Sequence, residues 1–392
     1  MKFDLFIQTA KEWWNGYLQS IFDHQSKVPI RQSGCQLLYP SIMLASRCQG
    51  YYIIELLGAN RHFCSLRTKK HAERSIYRYF NQFDSEDPDP FFIITQNHFS
   101  GLSLSRSCDQ EAALRRFPHL QLYPTMIRSS SGRGSVFTFG QDFESLSLEH
   151  CTIVNTKDQL TRCKSILWAA VVRGQVSKTE LIRMFESATN DSFAHGVYTT
   201  EGNEEKLHVG GQLQSMYLFP GLHETTIGEF IRSHPEIIKE AFGAPRFEYE
   251  PYLKWIDHDG SVQDVAINPD LMVQRHDGFF DIYDLKTALL DKLSITKAGR
   301  SRRRFIDYVE EGVSQLANYR EYFTYPGNAE YARKKYGIEV NNPKLVLVVG
   351  SYENSYSDQI SQACRKYNNV EVIDYDTLCQ MYIGIQPSST DF

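Results

Sequence analysis

The chain has 392 residues, of which 42% are hydrophobic, 23% charged and 13% aromatic. This composition is ordinary for a globular protein that buries a core, and the length predicts two or three domains of ~100–200 residues each. With 42 basic and 47 acidic side chains the formal net charge is -5, so any basic surface for nucleic acid must be local. No stretch approaches the roughly 18 apolar residues of a membrane span, and the acid within the first apolar stretch argues against a signal peptide.

Eight cysteines are scattered at positions 35, 48, 64, 108, 151, 163, 364 and 379. None has the C-x-x-C spacing or the neighbouring histidines of a zinc site, so a structural zinc ion is not expected. Scattered cysteines of this kind fit a reducing compartment. We therefore expect a cytoplasmic protein.

Residues 1–150 predict an α+β module. A helix is indicated at Leu5–Phe22 by its apolar face, and short strand-like runs follow it. The stretch Arg61–Phe80 mixes six lysines and arginines with aromatic residues, a combination that suits contact with a phosphate backbone. A solvated helix face would explain the same stretch equally well.

The sequence of residues 151–205 predicts a helical connector between two domains. The stretch Leu160–Gly174 is long and apolar and ends in glycine, which is typical of a helix with a C-cap. Ser177, followed three residues later by Glu180, predicts a capping box and a second helix. The polar, glycine-dotted segment after it is typical of a linker, in which His195 is expected on the surface.

Residues 206–392 predict the domain that carries the chemistry. Its predicted elements are an amphipathic helix interrupted by Pro235 (His223–Gly243), two strands (Val265–Val273 and Phe279–Leu285) joined by the turn-rich QRHDG, a helix (Ser301–Phe323), a fully buried strand (Leu345–Ser351), a short helix (Ser357–Tyr367) and a last strand. This order predicts a three-layer α/β arrangement with a mixed sheet.

Two carboxylates and a lysine are predicted to converge at the end of the strand pair. Asp284 and Lys286 point to the same face because side chains alternate along a strand, and Asp270 lies on the partner run. Such a cluster suits a small metal site with an adjacent cation. An Asp-x-Lys pair alone is more often an exposed cross-strand ion pair, so the neighbouring motifs carry the assignment. Asp281 has the opposite parity and is left out, as is Asp264.

The order of these features resembles the PD-(D/E)XK nuclease superfamily, with P-D on one strand and D-x-K on the next. Gln315 and Tyr319 resemble the Q-x-x-x-Y motif of its exonuclease-like branch. More narrowly, E-x-x-I-x-x-F-I-x-x-x-P from Glu224, PDLMV, DLKTA, QLANY and LVLVVGS resemble, in this order, the nuclease domain of Shedu anti-phage defence proteins. The resemblance covers roughly 220–355 and implies a restriction-endonuclease-like, three-layer α/β/α core with a mixed sheet.

The resemblance implies phosphodiester hydrolysis with Mg²⁺, for which Mn²⁺ is the expected substitute. Mg²⁺ prefers carboxylate, carbonyl and water oxygens, so Asp270, Asp284 and the carbonyl of Leu285 are the expected ligands. Lys286 is expected to orient or deprotonate the attacking water, because a neighbouring cation lowers the pKa of its ammonium group.

Two further residues are assigned from the same resemblance. Glu224 matches the acid of the first helix, and Glu229, about one turn further along, is the second choice. Gln315 is expected to donate to a phosphate or to a metal-bound water, although a glutamine on an amphipathic helix needs no function.

The basic run KAGRSRRR lies just before the Gln315 helix and provides the expected DNA contacts, Arg300, Arg302, Arg303 and Arg304. The alternative is a solvated helix start. Arginines at a helix N-terminus oppose the helix dipole, which favours a bound anion there.

Together these features predict a metal-dependent DNA endonuclease that nicks or cleaves phosphodiester bonds in defence against phages or plasmids. The resemblance further implies a homo-oligomer, specifically a tetramer, and an N-terminal module that senses or clamps DNA. Two other interpretations stay open. One is a non-catalytic DNA-binding or sensing protein that retains the nuclease fold, and the other is a restriction or repair nuclease outside phage defence.

Overall fold

The computed structural model describes residues 1–27, 36–74, 76–81, 98–100, 103–104, 110–117, 126–127, 144–157, 160–190, 194–200, 202–219, 224–260, 264–298 and 302–384. The chain divides into two compact units, Met1–Pro220 and Gly221–Ile385. The boundary therefore falls about fifteen residues after the predicted one, because the segment after residue 203 is a helix of the first unit. None of the helices within these ranges is long and apolar enough to cross a membrane.

The first unit is built around an eight-stranded sheet with the order β4-β2-β3-β9-β8-β6-β7, in which β5 also pairs with β8. Its elements are α1 (Phe3–Lys27), β1 (Gln36–Leu38), β2 (Ile42–Cys48), β3 (Tyr51–Leu57), β4 (Arg67–Arg74), α2 (Ile76–Asn81), β5 (His98–Ser100), β6 (Ser103–Leu104), α3 (Gln110–Arg116), β7 (Met126–Ile127), β8 (Ser145–Lys157), β9 (Leu160–Arg173), α4 (Lys178–Ala188), β10 (Tyr198–Thr200) and α5 (Glu204–Leu218).

The apolar stretch after residue 159 is a strand, so the predicted helix at Leu160–Gly174 is wrong. β9 pairs with β8 along nearly its whole length and with β3 on its other side. Most of its side chains are buried, and a continuous apolar run does not by itself distinguish a buried strand from a buried helix. The capping box at Ser177 and Glu180 is confirmed. The Ser177 hydroxyl accepts a hydrogen bond from the Glu180 amide, and the Glu180 carboxylate accepts one from the Ser177 amide.

The predicted first helix is confirmed and extended, since α1 spans Phe3–Lys27. Trp14 is fully buried, and its ring centroid lies 4.4 Å from that of Trp168 on β9 and 6.1 Å from that of Phe185 on α4. These aromatic contacts tie the first helix to the sheet and to α4.

The surface position predicted for His195 is wrong. The residue is buried, and its Nδ1 forms a hydrogen bond with the Glu149 carboxylate of β8. The same carboxylate accepts the Gly196 amide at 2.8 Å. Buried polar groups require such partners, so this segment is fastened to the sheet and is not a loose linker.

The basic stretch Arg61–Phe80 is not one helix face. Its centre is strand β4, and Tyr79 and Phe80 are buried. Among its described side chains, Arg61 contacts two glutamates of α5 and Lys70 pairs with Asp4. Two of its described cations therefore already have acidic neighbours, and DNA contact by this stretch stays a prediction.

The second unit is a mixed α/β domain. Its elements are α6 (Glu224–Ser233), α7 (Glu236–Phe242), β11 (Phe247–Tyr249), β12 (Leu253–Lys254), β13 (Ala266–Ile267), β14 (Leu271–Gln274), β15 (Phe280–Leu285), β16 (Thr296–Ala298), β17 (Arg303–Phe305), α8 (Asp307–Tyr322), α9 (Pro326–Tyr336), β18 (Leu345–Val348), α10 (Ser357–Cys364), β19 (Val370–Ile373) and α11 (Tyr375–Ile383).

The main sheet of this unit has the order β11-β14-β15-β18-β19. β11, β14 and β15 are antiparallel, whereas β15, β18 and β19 run parallel, so the predicted mixed sheet is confirmed. Helix α8 lies on one face, where a Cβ at Gly312 would come within 2.9 Å of Leu347 and 3.2 Å of the Lys286 side chain. Phe242 of α7 packs on the other face, with its ring centroid 4.9 Å from that of Tyr283.

The largest differences from the prediction in this unit concern two elements. The run Val265–Val273 is not one strand, because β13 pairs with β12 in a separate hairpin and β14 belongs to the main sheet. Pro269 lies at the break, and proline cannot donate to a strand ladder. The predicted helix Ser301–Phe323 begins only at Asp307, after a short hairpin formed by β16 and β17.

Candidate functional site

Asp284 and Lys286 lie at the end of the central strand β15, on the face that α8 covers. The Lys286 Nζ is 2.9 Å from Oδ2 of Asp284, and the side chains are 12% and 1% exposed. Next to a nearly buried carboxylate, an ammonium group offsets the cost of burying the negative charge. The pair is therefore not the exposed surface ion pair considered above.

Asp270 meets the same strand from the side of β14. Its Oδ2 accepts the Leu285 amide at 2.6 Å. The register pairs Leu271 with Tyr283, so one step further it places Asp270 opposite Asp284, and opposite residues of an antiparallel pair share a face. The structure thus brings the two predicted carboxylates to one end of the sheet.

The carbonyl of Leu285 points towards the same edge as its amide, since both groups of one strand residue face the same neighbouring strand. The register continues to Pro269 as the residue opposite Leu285, and proline has no N–H to offer. The local geometry therefore directs a carbonyl oxygen as well as two carboxylates towards this edge.

Gln315 and Tyr319 of α8 connect the lysine to the loop that carries Asp270. The Gln315 Oε1 accepts from the Lys286 Nζ at 3.2 Å, and its Nε2 donates to the Tyr319 hydroxyl at 2.5 Å. The Tyr319 hydroxyl in turn donates to the carbonyl of Asn268 at 3.2 Å. Gln315 and Tyr319 therefore form a chain of hydrogen bonds that runs from Lys286, next to Asp284, to the loop that carries Asp270.

The electrostatics of the site are consistent with this arrangement. Burial raises the pKa of Tyr319 well above its usual value, and the negative charges of Asp284 and Asp270 raise it further. The phenol therefore stays protonated, and it can keep donating to the Asn268 carbonyl across the ordinary pH range.

The first-helix acids are less directly attached to the site. Glu224 begins α6, but its side chain lies outside the described residues. Glu229 is exposed, and together with Asp270 and Glu250 it contributes to raising the pKa of Tyr249, after the larger effect of burial. Glu224 and Glu229 thus both stay predictions.

The structure agrees with the exclusion of Asp281 and Asp264 from the predicted metal site. Asp281 points to the opposite face, where its Oδ1 lies 3.0 Å from Arg275 and accepts the Lys344 amide at 2.8 Å. Burial raises the pKa of Asp281, while these two partners act in the opposite direction. Asp264 is exposed in the loop before β13.

The arginine run has a different setting from the predicted helix start. Arg303 and Arg304 belong to β17, with Arg304 paired opposite Lys297 of β16, and Arg302 is exposed just before them. The helix-dipole argument therefore fails for these residues, because α8 begins later, at Asp307. Arg300 lies outside the described residues.

No group of three or more His, Cys, Asp or Glu side chains comes together as a metal site within the described ranges. The donors that do converge are Asp270, Asp284 and the edge-facing carbonyl of Leu285. All are hard oxygen donors, which Mg²⁺ prefers, and Mg²⁺ commonly keeps several waters beside one or two carboxylates. The residues present therefore fit a Mg²⁺ ion that is completed by water.

One contact at the site had no signal in the sequence. The hydroxyl of Tyr375, at the start of α11, donates to the carbonyl of Lys286 at 2.5 Å, and the Lys286 amide donates to Val348 of β18 at 2.8 Å. A tyrosine nearly ninety residues after the lysine forms no local pattern. These contacts fix both the amide and the carbonyl of Lys286.

The fold and the site define a mixed α/β domain whose acidic and basic side chains gather at the end of its central strand. Residues 221–379 match the family described as Shedu protein SduA, C-terminal, so the second unit is similar to the C-terminal domain of Shedu proteins and the predicted resemblance is confirmed. No curated protein matches the chain. This match indicates a role related to Shedu defence.

Replacing Tyr319 with phenylalanine should loosen the loop around Asp270, since the Asn268 carbonyl and the Gln315 amide would each lose a partner. We expect Tyr319→Phe to lower the free energy of unfolding by about 1–3 kcal/mol and to accelerate amide exchange at Leu285 by roughly tenfold. Hydrogen exchange with residue resolution measures the second effect.

The matched control is Tyr322→Phe, which removes a buried hydroxyl that donates to Lys254 at 3.0 Å from the same helix. It should cost similar stability and leave Leu285 exchange as in the parent protein. Unchanged Leu285 exchange in Tyr319→Phe would show that the hydrogen-bond chain does not hold Asp270.

Proposed function

We propose that the protein is a Mg²⁺-dependent DNA endonuclease of the PD-(D/E)XK type. The observation that carries the proposal is the convergence of Asp270, Asp284 and Lys286 at the end of β15. A mixed five-stranded sheet, with α8 on one face and α7 on the other, is compatible with the three-layer core of that superfamily. The match of this unit to the C-terminal domain of Shedu proteins supports the same assignment.

In this proposal Asp270, Asp284 and the carbonyl of Leu285 hold the cation, with Mn²⁺ as a substitute for Mg²⁺. The bound ion would supply a more acidic water and neutralise charge on the phosphate. The Lys286 Nζ orients the attacking water as an ammonium group or takes its proton as the neutral amine. Gln315 keeps the Nζ in place through its 3.2 Å hydrogen bond. Gln315 thereby acts through Lys286, and its amide, which donates one N–H to Tyr319, keeps a second N–H for the predicted contact with a phosphate or a metal-bound water.

DNA would reach this site past the hairpin of β16 and β17. Arg302, Arg303 and Arg304 lie on or beside this hairpin, and Lys297 faces Arg304 across it. We assign phosphate-backbone contacts to these arginines, and to Arg300 from the sequence alone.

A non-catalytic DNA-binding protein is the second candidate. Two observations favour it: no described cluster of three ligating side chains, and a Lys286 ammonium placed directly against Asp284, where it could substitute for a cation. Cleavage assays separate the two candidates.

We expect Asp284→Asn and Lys286→Ala each to reduce cleavage by about 10²–10⁴-fold while DNA binding persists. The purified protein is incubated with closed circular, linear duplex and single-stranded DNA in Mg²⁺, in Mn²⁺ and in EDTA. Cleavage should require the cation.

The matched control is Asp281→Asn, which changes a buried aspartate on the same strand but on the opposite face. It should cleave at the parent rate. Full activity of Lys286→Ala would refute the site assignment, and cleavage that survives EDTA would refute the metal.

For the cellular role, we propose defence against phages or plasmids, carried out in the cytoplasm, with the first unit sensing or clamping DNA. Expression in a bacterial host should reduce phage plaque counts, and Asp284→Asn should abolish the protection. Equal plaque counts with and without the active protein would instead favour a restriction or repair nuclease outside defence.

We also propose that several copies assemble, as a tetramer, an expectation that comes from the family resemblance. Static light scattering on the purified protein should give about four times the mass of one 45.3 kDa chain. A mass equal to one chain would refute the assembly.

A further inference from the structure

A surface of tyrosines and lysines covers the C-terminal half of α9 and, beside it, Tyr252 and the strand β12 that follows. It consists of Tyr252, Lys254, Tyr331, Lys335 and Tyr336, and is called the tyrosine–lysine surface below. The Lys335 Nζ lies 5.6, 5.3 and 4.9 Å from the ring centroids of Tyr252, Tyr331 and Tyr336. These distances are typical of cation–π contacts, so one ammonium group lies close to three aromatic rings.

The backbone of Tyr252 is held in place by hydrogen bonds that do not involve its own hydroxyl group. The hydroxyl of Tyr336 accepts the Tyr252 amide at 3.2 Å and donates to the Tyr252 carbonyl at 3.2 Å. Behind the strand, Trp255 is buried against Tyr322 of α8. The Tyr252 side chain nevertheless remains 45% exposed, so a large aromatic group is open to solvent on a backbone that Tyr336 holds in place.

The charges of these two elements favour an anionic partner. α9 and β12 together carry Lys254, Arg333, Lys334 and Lys335 against a single acid, Glu330, which pairs with Arg333 at 2.6 Å and with Lys334 at 3.0 Å. Hydrogen bonds to Tyr331 and Tyr336 raise the pKa of Lys335, so its ammonium group stays charged. On a protein with a net charge of -5, this is a local basic surface interleaved with aromatic rings.

The tyrosine–lysine surface is joined to the site by a short path along the backbone. β12 pairs with β13, with Leu253 opposite Ile267, and continuing the register by one residue places Tyr252 opposite Asn268. Asp270 follows two residues later, about 7 Å along an extended chain. A strand of nucleic acid lying on Tyr252 would therefore lie close to Asp270.

We propose that the tyrosine–lysine surface binds one DNA strand with unpaired bases next to the cut. In duplex DNA the faces of the bases are covered by stacking, so an open phenol ring can stack only on a base that has left the duplex, while the lysines contact its phosphates. This inference rests on the proposed nuclease function and makes frayed ends or single-stranded segments the preferred substrate.

The test is fluorescence anisotropy in EDTA, with a labelled single strand of about 16 nucleotides and the duplex of the same sequence. Tyr252→Ala should weaken binding of the single strand by roughly tenfold, which corresponds to the loss of one stacked base, and should change duplex binding less than twofold. Lys335→Ala should weaken single-strand binding and reduce its dependence on salt.

Three controls match these variants. Tyr252→Phe keeps the ring and Lys335→Arg keeps the charge, so both should bind single strands as the parent does. Lys239→Ala removes an exposed lysine of α7 and should have no effect. Because Tyr252 is exposed, its alanine variant should keep the parent thermal midpoint.

Unchanged single-strand binding in Tyr252→Ala would overturn the proposal, and so would an equal loss on duplex and single strand, which indicates charge alone. The binding assay does not depend on cleavage. If the parent protein fails to cut DNA in Mg²⁺ while Tyr252→Ala still loses single-strand binding, the nuclease function falls and the tyrosine–lysine surface stands.

Discussion

The hydrogen bond from the Leu285 amide to Asp270 is the contact on which the rest of the site depends. At the end of β14 the side chain of Asp270 takes the place of a backbone acceptor for this amide, and the neighbouring Pro269 has no N–H with which to extend the ladder. Asp270 is thereby attached to β15, the strand that carries Asp284. At the same interruption the chain passes from the hairpin of β12 and β13 to the main sheet, so Pro269 lies where one sheet ends and the other begins.

The lysine is constrained as strongly as the acids. Val348 and Tyr375 fix its backbone, while Asp284 and Gln315 hold its ammonium group. α8 approaches closely because Gly312 has no side chain at the point where the Lys286 stem passes. A long, flexible side chain loses much of its conformational entropy when it is fixed in this way. Here the contacts with Asp284, Gln315 and α8 offset that cost.

Much of the second unit was predictable because its signals are local. Alternation along β15 separated Asp284 and Lys286 from Asp281, and the apolar run at Leu345–Val348 indicated a strand buried on both faces. The split of Val265–Val273 was missed although Pro269 was visible, since strand propensity does not say which sheet a strand joins. The contact of Tyr375 with Lys286 could not be found, because nothing near Lys286 in sequence specifies a partner so far along the chain.

The first unit was harder to predict for a physical reason. β9 is buried on both faces, so it lacks the alternation that marks a half-exposed strand, and its length suited a helix equally well. The burial of His195 depended on Glu149, a residue of β8 with no sequence pattern linking the two. Long-range pairing decides both features, and a single sequence records such pairing only weakly.

The contact between Tyr375 and Lys286 also has a consequence for biosynthesis. β15 gains its parallel neighbour only when β18 has been made, and the Lys286 carbonyl gains its donor only when residue 375 has followed. Asp270, Asp284 and Lys286 therefore leave the ribosome long before the segments that order them. During translation the nascent chain carries these side chains without a finished site, so the timing of synthesis itself delays any activity that the site supports.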